Sequence, residues 1–574
     1  MNDSTPNAEA YRLLRHARQL MAGGQPALAI QILDRARGLA PDDIQILAVL
    51  ATTLLLDRQK AKAAAVLRRL AEGGDPASLF GLCRPLMGAD DPEGALALLR
   101  RAESAAAPSL FLALVRKSIA DVTALGHRLT NARREDLALV AFRYAAHAMP
   151  EDFGVLEALL NHQLRLGDLE GALATVTGAP AFADPSQTQV FARYRHLCEW
   201  MRRVLAETPE RAARLLATAT GKPRMIHATV AWGADYVPLC ARHLRCLAAP
   251  GNMPALARRF DLRIALVTTP PDYEALRATG ALDLFHDICP VEPIFMPVEV
   301  VQRDEHLKPT LFMYYAFSMA LHAGIDLARA LDAAISPLAV DTVFADGAYG
   351  RLAELAEDGH EAICMTSMIC RRETFVPELE ARFAEPNGPI RIKAPDLMGM
   401  IAEHMHAITR CAFVSPANRD FSCPPGVLFW KRGRDVIAHG FCLDPVYISA
   451  GALARYRTYR FTSVDGHLAA NIFPSPEDWK KVRVLADGAD FAMLALSSVQ
   501  QPAATIGGPF DLGQARLYKT VGNLISPFNE WTFRHPIVFR DVFPPGSPDE
   551  YDPAIVGAIL EDDGIPLSSQ PEAT

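Results

Sequence analysis

Carboxylates and histidines set at the ends of short β-branched runs are the side chains of this sequence best suited to chemistry. Asp346 follows the run DTVFA, Asp465 and His467 lie in FTSVDGHL, and Asp487 and Asp490 follow VRVLA. A carboxylate at a strand end can hold a hard divalent cation. Residues two apart on a strand share a face, so Asp465 and His467 could reach one ion. The same segments also read as turns, because Asp346-Gly347 and Asp465-Gly466 are strong turn dipeptides. Asp341 opens the DTVFA run, at the end away from a ligand crevice, and reads as structural. His404 and His406 could serve as a general base or as a cation. On a continuous helix the two would point about 200° apart, so at most one could face a cleft. His322, in a long apolar helical stretch, reads as an interior residue.

The motifs that are missing narrow the field. No Gly-x-Gly-x-x-Gly follows the first strand, no phosphate-binding Gly-Lys-Ser loop occurs, and neither His-Glu-x-x-His nor Gly-x-Ser-x-Gly is present. Dinucleotide oxidoreductases, P-loop enzymes, zinc proteases and α/β hydrolases therefore lose ground.

The candidate residues sit in a half of the chain that alternates strands with helices, from Gly221-Lys222-Pro223 onward. Met225–Val230, Arg263–Thr268, Asp341–Ala345 and Ala362–Ser367 read as strands, and Tyr236–Leu247 and Leu311–Leu331 as helices. In an open α/β sheet the ligand crevice lies at the carboxyl ends of the strands. The loops after Val230, Thr268 and Ala345 are thus the places to look. The stretch 506–551 is rich in Gly, Pro and aromatic residues, and its Asn529-Glu530-Trp531 suits either a lid or a packed extension.

The first 220 residues follow a different rule. Small anchors at Ala29, Ala64, Ala95, Ala138 and Ala172 fall 35, 31, 43 and 34 positions apart. A second Ala recurs seven residues on (Ala36, Ala71, Ala102, Ala145, Ala179), and a proline follows (Pro41, Pro76, Pro108, Pro150, Pro185). Gly24, Arg133 and Gly167 stand five residues before three of the anchors. Small residues two turns apart let one helix approach another closely, and proline cannot continue a helix. The period matches the 34-residue tetratricopeptide repeat, and the gap of 43 implies an insertion or degenerate unit near 109–131. Such arrays grip a partner protein on a concave face.

Composition sets the outer bounds. At 574 residues the chain is too long for a single core, and its net charge of −8 argues against a nucleic-acid binder. The longest apolar run, Ile44–Leu56, has 13 residues, short of the ~20 that span a membrane. The polar start shows no secretory signal, and the ten cysteines are scattered without a C-x-x-C, so reduced thiols and a cytoplasmic location are expected.

From about Met225 to Ser498 the chain resembles a bacterial family of GT-A-type glycosyltransferase-like domains often joined to tetratricopeptide repeats. The matching pieces are ATVAWGADYV, APGNMPAL, MYYAFSMALHAGIDLARAL, DTVFADGAYGRLAEL, the EHMHAITR region, and FTSVDGHL with VRVLADGADF, in that order. The resemblance implies a tetratricopeptide-like α-solenoid over 1–220, a GT-A-like (Rossmann-like) α/β domain over 222–562, and a disordered tail over 563–574. It further implies a nucleotide-sugar donor whose diphosphate is neutralised by a divalent cation, Mn²⁺ or Mg²⁺, held by an Asp-x-Asp motif. Here only Asp346 of that motif is present, so Asp465 and His467 would have to complete the ligand set. In the same frame Trp232 and Tyr236 would stack on the base or ribose, Asn252 would bond the nucleotide or its own turn, His406 would be the base with His404 near the substrate, and Asp487 would mark the second acidic loop. The expected function is transfer of a sugar to an acceptor, a protein among the candidates, docked by the array. The alternative is a non-catalytic adaptor whose transferase-like half only binds.

Overall fold

The computed structural model describes residues 6–132, 134–302, 312–421, 426–456, 466–501, 508–520 and 526–561, apart from the side chains at 6, 467 and 517–520. Arg133, Asp465, the side chain of His467 and the tail over 563–574 lie outside the described residues. By its contacts the chain divides into Met1–Gln163 with Thr177–Thr188, and Leu164–Val176 with Gln189–Thr574.

The helices of the N-terminal array are α1 (Pro6–Ala22), α2 (Pro26–Leu39), α3 (Ile44–Leu56), α4 (Lys60–Leu70), α5 (Pro76–Gly88), α6 (Pro92–Ala105), α7 (Pro108–Lys117), α8 (Ile119–Asn131), α9 (Glu135–Ala148), α10 (Phe153–Leu166) and α11 (Leu169–Gly178). Helix α1 packs on α2, α3 on α4, α5 on α6 and α8 on α9. The five Ala anchors all lie buried on second helices (α2, α4, α6, α9, α11), as the close-approach argument requires. Ala36, Ala71, Ala102 and Ala145 are buried as well, whereas Ala179 falls just beyond α11 and is half-buried. The long gap has a plain cause, since α7 is an extra helix inserted between α6 and α8. The prolines work partly in the opposite sense to the expected one. Pro76 and Pro108 occupy the first turn of the next helix, where the missing N–H costs nothing. Asp43, Asp75 and Asp91 cap α3, α5 and α6 by accepting first-turn backbone N–H groups.

In the second unit the long helix α12 (Pro185–Leu216) leads into β1 (Arg224–Val230), α13 (Tyr236–Leu247), α14 (Met253–Ala257), β2 (Asp261–Thr268), α15 (Pro270–Ala278), β3 (Val291–Phe295), α16 (Val298–Val301) and α17 (Phe312–Ala330). Next come β4 (Ala334–Pro337), β5 (Thr342–Phe344), α18 (Ala348–Glu357), β6 (Ala362–Met365), β7 (Met368–Arg371), α19 (Arg372–Phe383), α20 (Ala394–His404) and α21 (Ala407–Cys411). The strands then continue as β8 (Val427–Arg432), β9 (Asp435–Gly440), β10 (Asp444–Ile448), β11 (Val482–Val484), β12 (Met493–Ser497) and β13 (Ile537–Phe539). All of α12 after Thr188 thus belongs with this unit, although it precedes residue 220. Trp200 on α12 donates to the Phe295 carbonyl (2.8 Å), and Arg211 and Arg214 both hold Glu292 (2.8 and 2.7 Å).

The main sheet has the order β11-β6-β10-β4-β1-β2-β3. Strands β4, β1, β2 and β3 run parallel, as do β6 and β11, while β10 runs against both of its neighbours. Strand β2 is buried along its whole length and β1 along all but its first residue, as a parallel sheet covered on both faces demands. Helix α17 packs on β1 at Gly324, where an added Cβ would stand 2.7 Å from that of Ala228.

One sequence expectation is corrected here. The DTVFA strand is β5, and it belongs to a separate three-stranded sheet, β5-β12-β7, rather than the main one. The main-sheet strand at this point is β4, whose residues AISP carry no β-branched run to announce it. A third sheet, β13-β9-β8, packs with the C-terminal segment around Trp430, Phe441 and Phe533. Within that segment Asn529 is fully buried and donates to the Phe441 carbonyl (2.7 Å), so this part is packed extension and not lid. The nine cysteines among the described residues carry free thiols. No described helix is long and apolar enough to cross a membrane.

Candidate functional site

The chain leaves β1 outward to β2 and β3 and returns to β4 on the other side of β1, so the strand order reverses between β1 and β4. A crevice opens at the carboxyl ends of two strands that diverge in this way. Its walls are the loop after Val230 and the loop after Pro337. Trp232 stands in the first, half-buried, with its ring edge-on to Phe317 at 6.3 Å. Gly233 has φ +80, and its N–H donates to Asp272 Oδ2 (3.0 Å), an oxygen that also accepts from Thr269 Oγ1 (2.7 Å). That shared oxygen ties the loop after β1 to the loop after β2. Tyr236, the first residue of α13, is exposed at the same edge.

In the second loop Asp341 is half-buried, and its carbonyl accepts from Leu496 N (2.8 Å). It follows β4 by four residues, on the carboxyl side of that strand, and directly precedes β5, the strand it was read as opening. Because β10 is reversed, its first residue, Asp444, also starts at this edge, opposite Met365 at the end of β6. Sequence reasoning set Asp341 aside as structural and did not consider Asp444. Asp341 needed β4 to be recognised, and Asp444 needed the direction of β10.

Below the crevice, the paired residues His227 on β1 and Ser336 on β4 belong to one buried chain of hydrogen bonds. A carbonyl can only accept, so His243 Nδ1–H donates to the Thr342 carbonyl (3.0 Å). In the neutral ring its Nε2 then accepts from His227 Nε2–H (3.0 Å), and His227 Nδ1 accepts from the Tyr349 hydroxyl (3.0 Å). The Tyr349 oxygen in turn accepts from Ser336 Oγ (3.2 Å). Burial pushes the His227 pKa well below its ordinary value, with His243 adding to the effect, and lowers His243 to about 4.

The residues expected to form the acidic site are knotted into the fold instead. Asp346 Oδ1 accepts from Gly251 N (2.6 Å). Asn252, fully buried, donates through Nδ2 to the Cys246 carbonyl (2.8 Å) and accepts at Oδ1 from Gly347 N (3.2 Å) and Tyr349 N (3.1 Å). Asp346 and Asn252 thus fasten the turn before α14 to the turn before α18. Asp346 belongs to no trio of metal-ligating side chains among the described residues. Asp465 lies outside the described residues, and His467 falls in the helix Gly466–Ile472 with its side chain undescribed, so neither completes a ligand set here.

His404 and His406 are not on one helix: α20 ends at His404, and His406 caps α21. His406 Nδ1 accepts from Ile408 N (3.1 Å), which leaves Nε2–H to donate to the Ser498 carbonyl (3.0 Å). In this arrangement both ring nitrogens are engaged within the fold, and His406 caps α21. Replacing it (His406→Ala) should cost about 1–2 kcal/mol of stability while leaving ligand binding intact. Urea denaturation alongside a binding titration checks this, and a selective loss of binding would restore the histidine to the site.

His404 bonds Thr374 Oγ1 (3.0 Å) and Glu378 Oε2 (2.9 Å). Glu378, Glu403 and His404 bring ligand atoms within 4.8 Å of one another. Arg382 first and His404 second hold the Glu378 carboxyl below its usual range. Asp487 is likewise structural: it accepts from Ala489 N (3.0 Å) and pairs with Arg540 (2.9 Å). Asp490 pairs with Arg351 (3.0 Å).

No family model matches the chain, and no curated protein matches it. Among solved structures it is similar to YrrB, described as a TPR protein with an unusual peptide-binding site, at 17% identity over 29% of this chain and 82% of that one, with a TM-score of 0.22. It is also similar to the MamA protein, at 14% identity over 30% of this chain and 90% of that one, TM-score 0.23. A mutant O-GlcNAc transferase of Thermobaculum terrenum matches at 15% identity over 51% of this chain and 42% of that one, TM-score 0.15. Overlaps this slight carry no argument about chemistry. The chain is a helical repeat array of tetratricopeptide type followed by a part built on mixed sheets.

Proposed function

We propose that the second unit is a GT-A-type glycosyltransferase domain that uses a nucleotide sugar, and that the array docks its acceptor, a protein. The observation that supports this reading is the strand-order reversal between β1 and β4, with Trp232 in the loop after β1 and Asp341 in the loop after β4. In sugar transfer the bond from the anomeric carbon to the diphosphate breaks, the acceptor oxygen bonds to that carbon, and its proton passes to a base. Trp232 offers a stacking face for the base of the donor. With His406 committed to its cap, the proton falls to a carboxylate at this edge, and Asp341 is our choice. The cation implied by the resemblance would find a hard oxygen donor in Asp444, and when bound it would offset the charge of the departing diphosphate.

Full-length protein titrated with a panel of nucleotide sugars, with and without Mn²⁺, tests the reading. We expect one donor to bind, and transfer to fall roughly 10²–10⁴-fold in Asp341→Asn with folding intact. Unchanged transfer in that variant would remove Asp341 from the site. The adaptor reading retains one specific support, the commitment of Asp346 to Gly251 N. Partner capture by a folded protein that binds no donor would establish it.

A further inference from the structure

The insertion that lengthens the repeat spacing also makes a cavity that the repeat itself would not have. Helix α7 stands against α6 and α9, and between them lies a space of about 300 Å³ lined by Glu103, Pro108, Phe111, Leu112, Arg143, Tyr144 and His147. All of these come from the inserted helix and from the second helices α6 and α9. None comes from the first helix of a pair.

The cavity has an apolar floor and a basic rim. Phe111 packs edge-on against Tyr144 at 5.2 Å, and Pro108 and Leu112 complete the apolar lining. Glu103 accepts a hydrogen bond from the Tyr144 hydroxyl, so the one carboxylate present is held by its neighbour. Arg143 and His147 are exposed at the mouth. A second, more open space of about 320 Å³ is lined by Arg100, Arg101, Ser104 and Ala105 along the last two turns of α6, with both arginines exposed. Among the residues lining the two spaces, three arginines outnumber the single carboxylate, on a chain whose net charge is −8. The first space is at the small end of ligand pockets (~300–1,000 Å³), so it takes one bulky side chain and not a cofactor.

We propose that this surface binds an acidic peptide segment of a partner protein, with one aromatic or large aliphatic side chain seated between Phe111, Leu112 and Tyr144 and flanking carboxylates on Arg100, Arg101 and Arg143. The inference is independent of the transferase reading, because it rests on the array alone. Its chemistry pairs a desolvated anchor, which fixes register, with charge pairs that steer and select.

The test is fluorescence anisotropy on the full-length protein with a labelled Asp-Glu-Glu-Phe-Glu-Asp probe. Two control probes carry Ser for Phe, or Lys for every acid. The expected result is saturable binding of the first probe, at least about tenfold weaker for either control and weakening as salt rises. The charge-reversed variant (Arg100→Glu, Arg101→Glu, Arg143→Glu) should lose binding. Leu112→Trp should lose it too, by filling the cavity without altering charge, and both variants should keep the wild-type circular dichroism. Absence of saturable binding to wild type, equal binding of the lysine probe, or wild-type affinity in a folded Leu112→Trp protein would each overturn the proposal.

Discussion

Replacing Asn252 by alanine is expected to destabilise the second unit by about 3–5 kcal/mol, more than the loss of any single exposed carboxylate. The side chain satisfies three backbone groups: the Cys246 carbonyl and the N–H groups of Gly347 and Tyr349. Each buried group left unpaired costs about 1–3 kcal/mol. Asparagine is needed because α18 begins on Gly347, at φ +108, which has no side chain with which to cap its own helix. Asn252 supplies the cap from another turn. Gly251 is held by the same knot, since a Cβ there would stand 2.6 Å from both Asp346 Oδ1 and Gly347 N. The five tryptophans, Trp200, Trp232, Trp430, Trp479 and Trp531, all belong to the second unit, so their fluorescence in urea reads this unit alone. A loss below about 1 kcal/mol in Asn252→Ala would mean that the turn holds without its side chain, and would reopen a ligand-binding role.

The knot also shows where the sequence could be read and where it could not. Helix periodicity and the Ala–Pro pattern depend on neighbours within one or two turns, so the array was legible, down to the insertion signalled by the gap of 43. Strands β1, β2 and β6 announced themselves as apolar runs, and α13 was bounded correctly. Strand β4 was not legible. Its four residues include a serine and a proline, and its place is fixed by β1 and β10 on either side. Missing it put the DTVFA run in the main sheet, where β4 stands. The surroundings of His406 were hidden for a related reason: the carbonyl that accepts its N–H hydrogen bond lies 92 residues away, at Ser498. A histidine's availability as a base depends on which lone pairs the fold has already used, and that is a property of long-range contacts.

Acidification should unfold the second unit well before its carboxylates are neutralised. The buried chain from Ser336 to Thr342 runs in one direction only when both His227 and His243 are neutral. Adding a proton to His243 Nε2 or His227 Nδ1 would oppose two hydrogens where one now bridges. His322 is a third such ring, with Nδ1–H donating to the Ser318 carbonyl and Nε2 accepting from the Tyr456 hydroxyl, and burial lowers it to about 4. A histidine whose folded pKa lies below its unfolded value of ~6.5 is taken up as a cation by the unfolded chain first. Its contribution to stability is therefore complete above pH 6.5 and declines as pH falls toward 4, at about 1.4 kcal/mol per pH unit for each ring. His243 and His322, with folded values of about 4, would each lose on the order of 3 kcal/mol across that window. His227 is displaced in the same direction and adds to the slope. Urea midpoints by tryptophan fluorescence at pH 7.5, 6.0, 5.0 and 4.5 measure the decline directly. In His243→Asn the amide can still donate to the Thr342 carbonyl but cannot titrate, so the slope should become shallower even if the variant starts from lower stability. A stability that stayed level from pH 7.5 to 4.5 would mean that these rings accept protons within the folded protein, and the one-directional hydrogen-bond chain beneath the crevice would have to be abandoned.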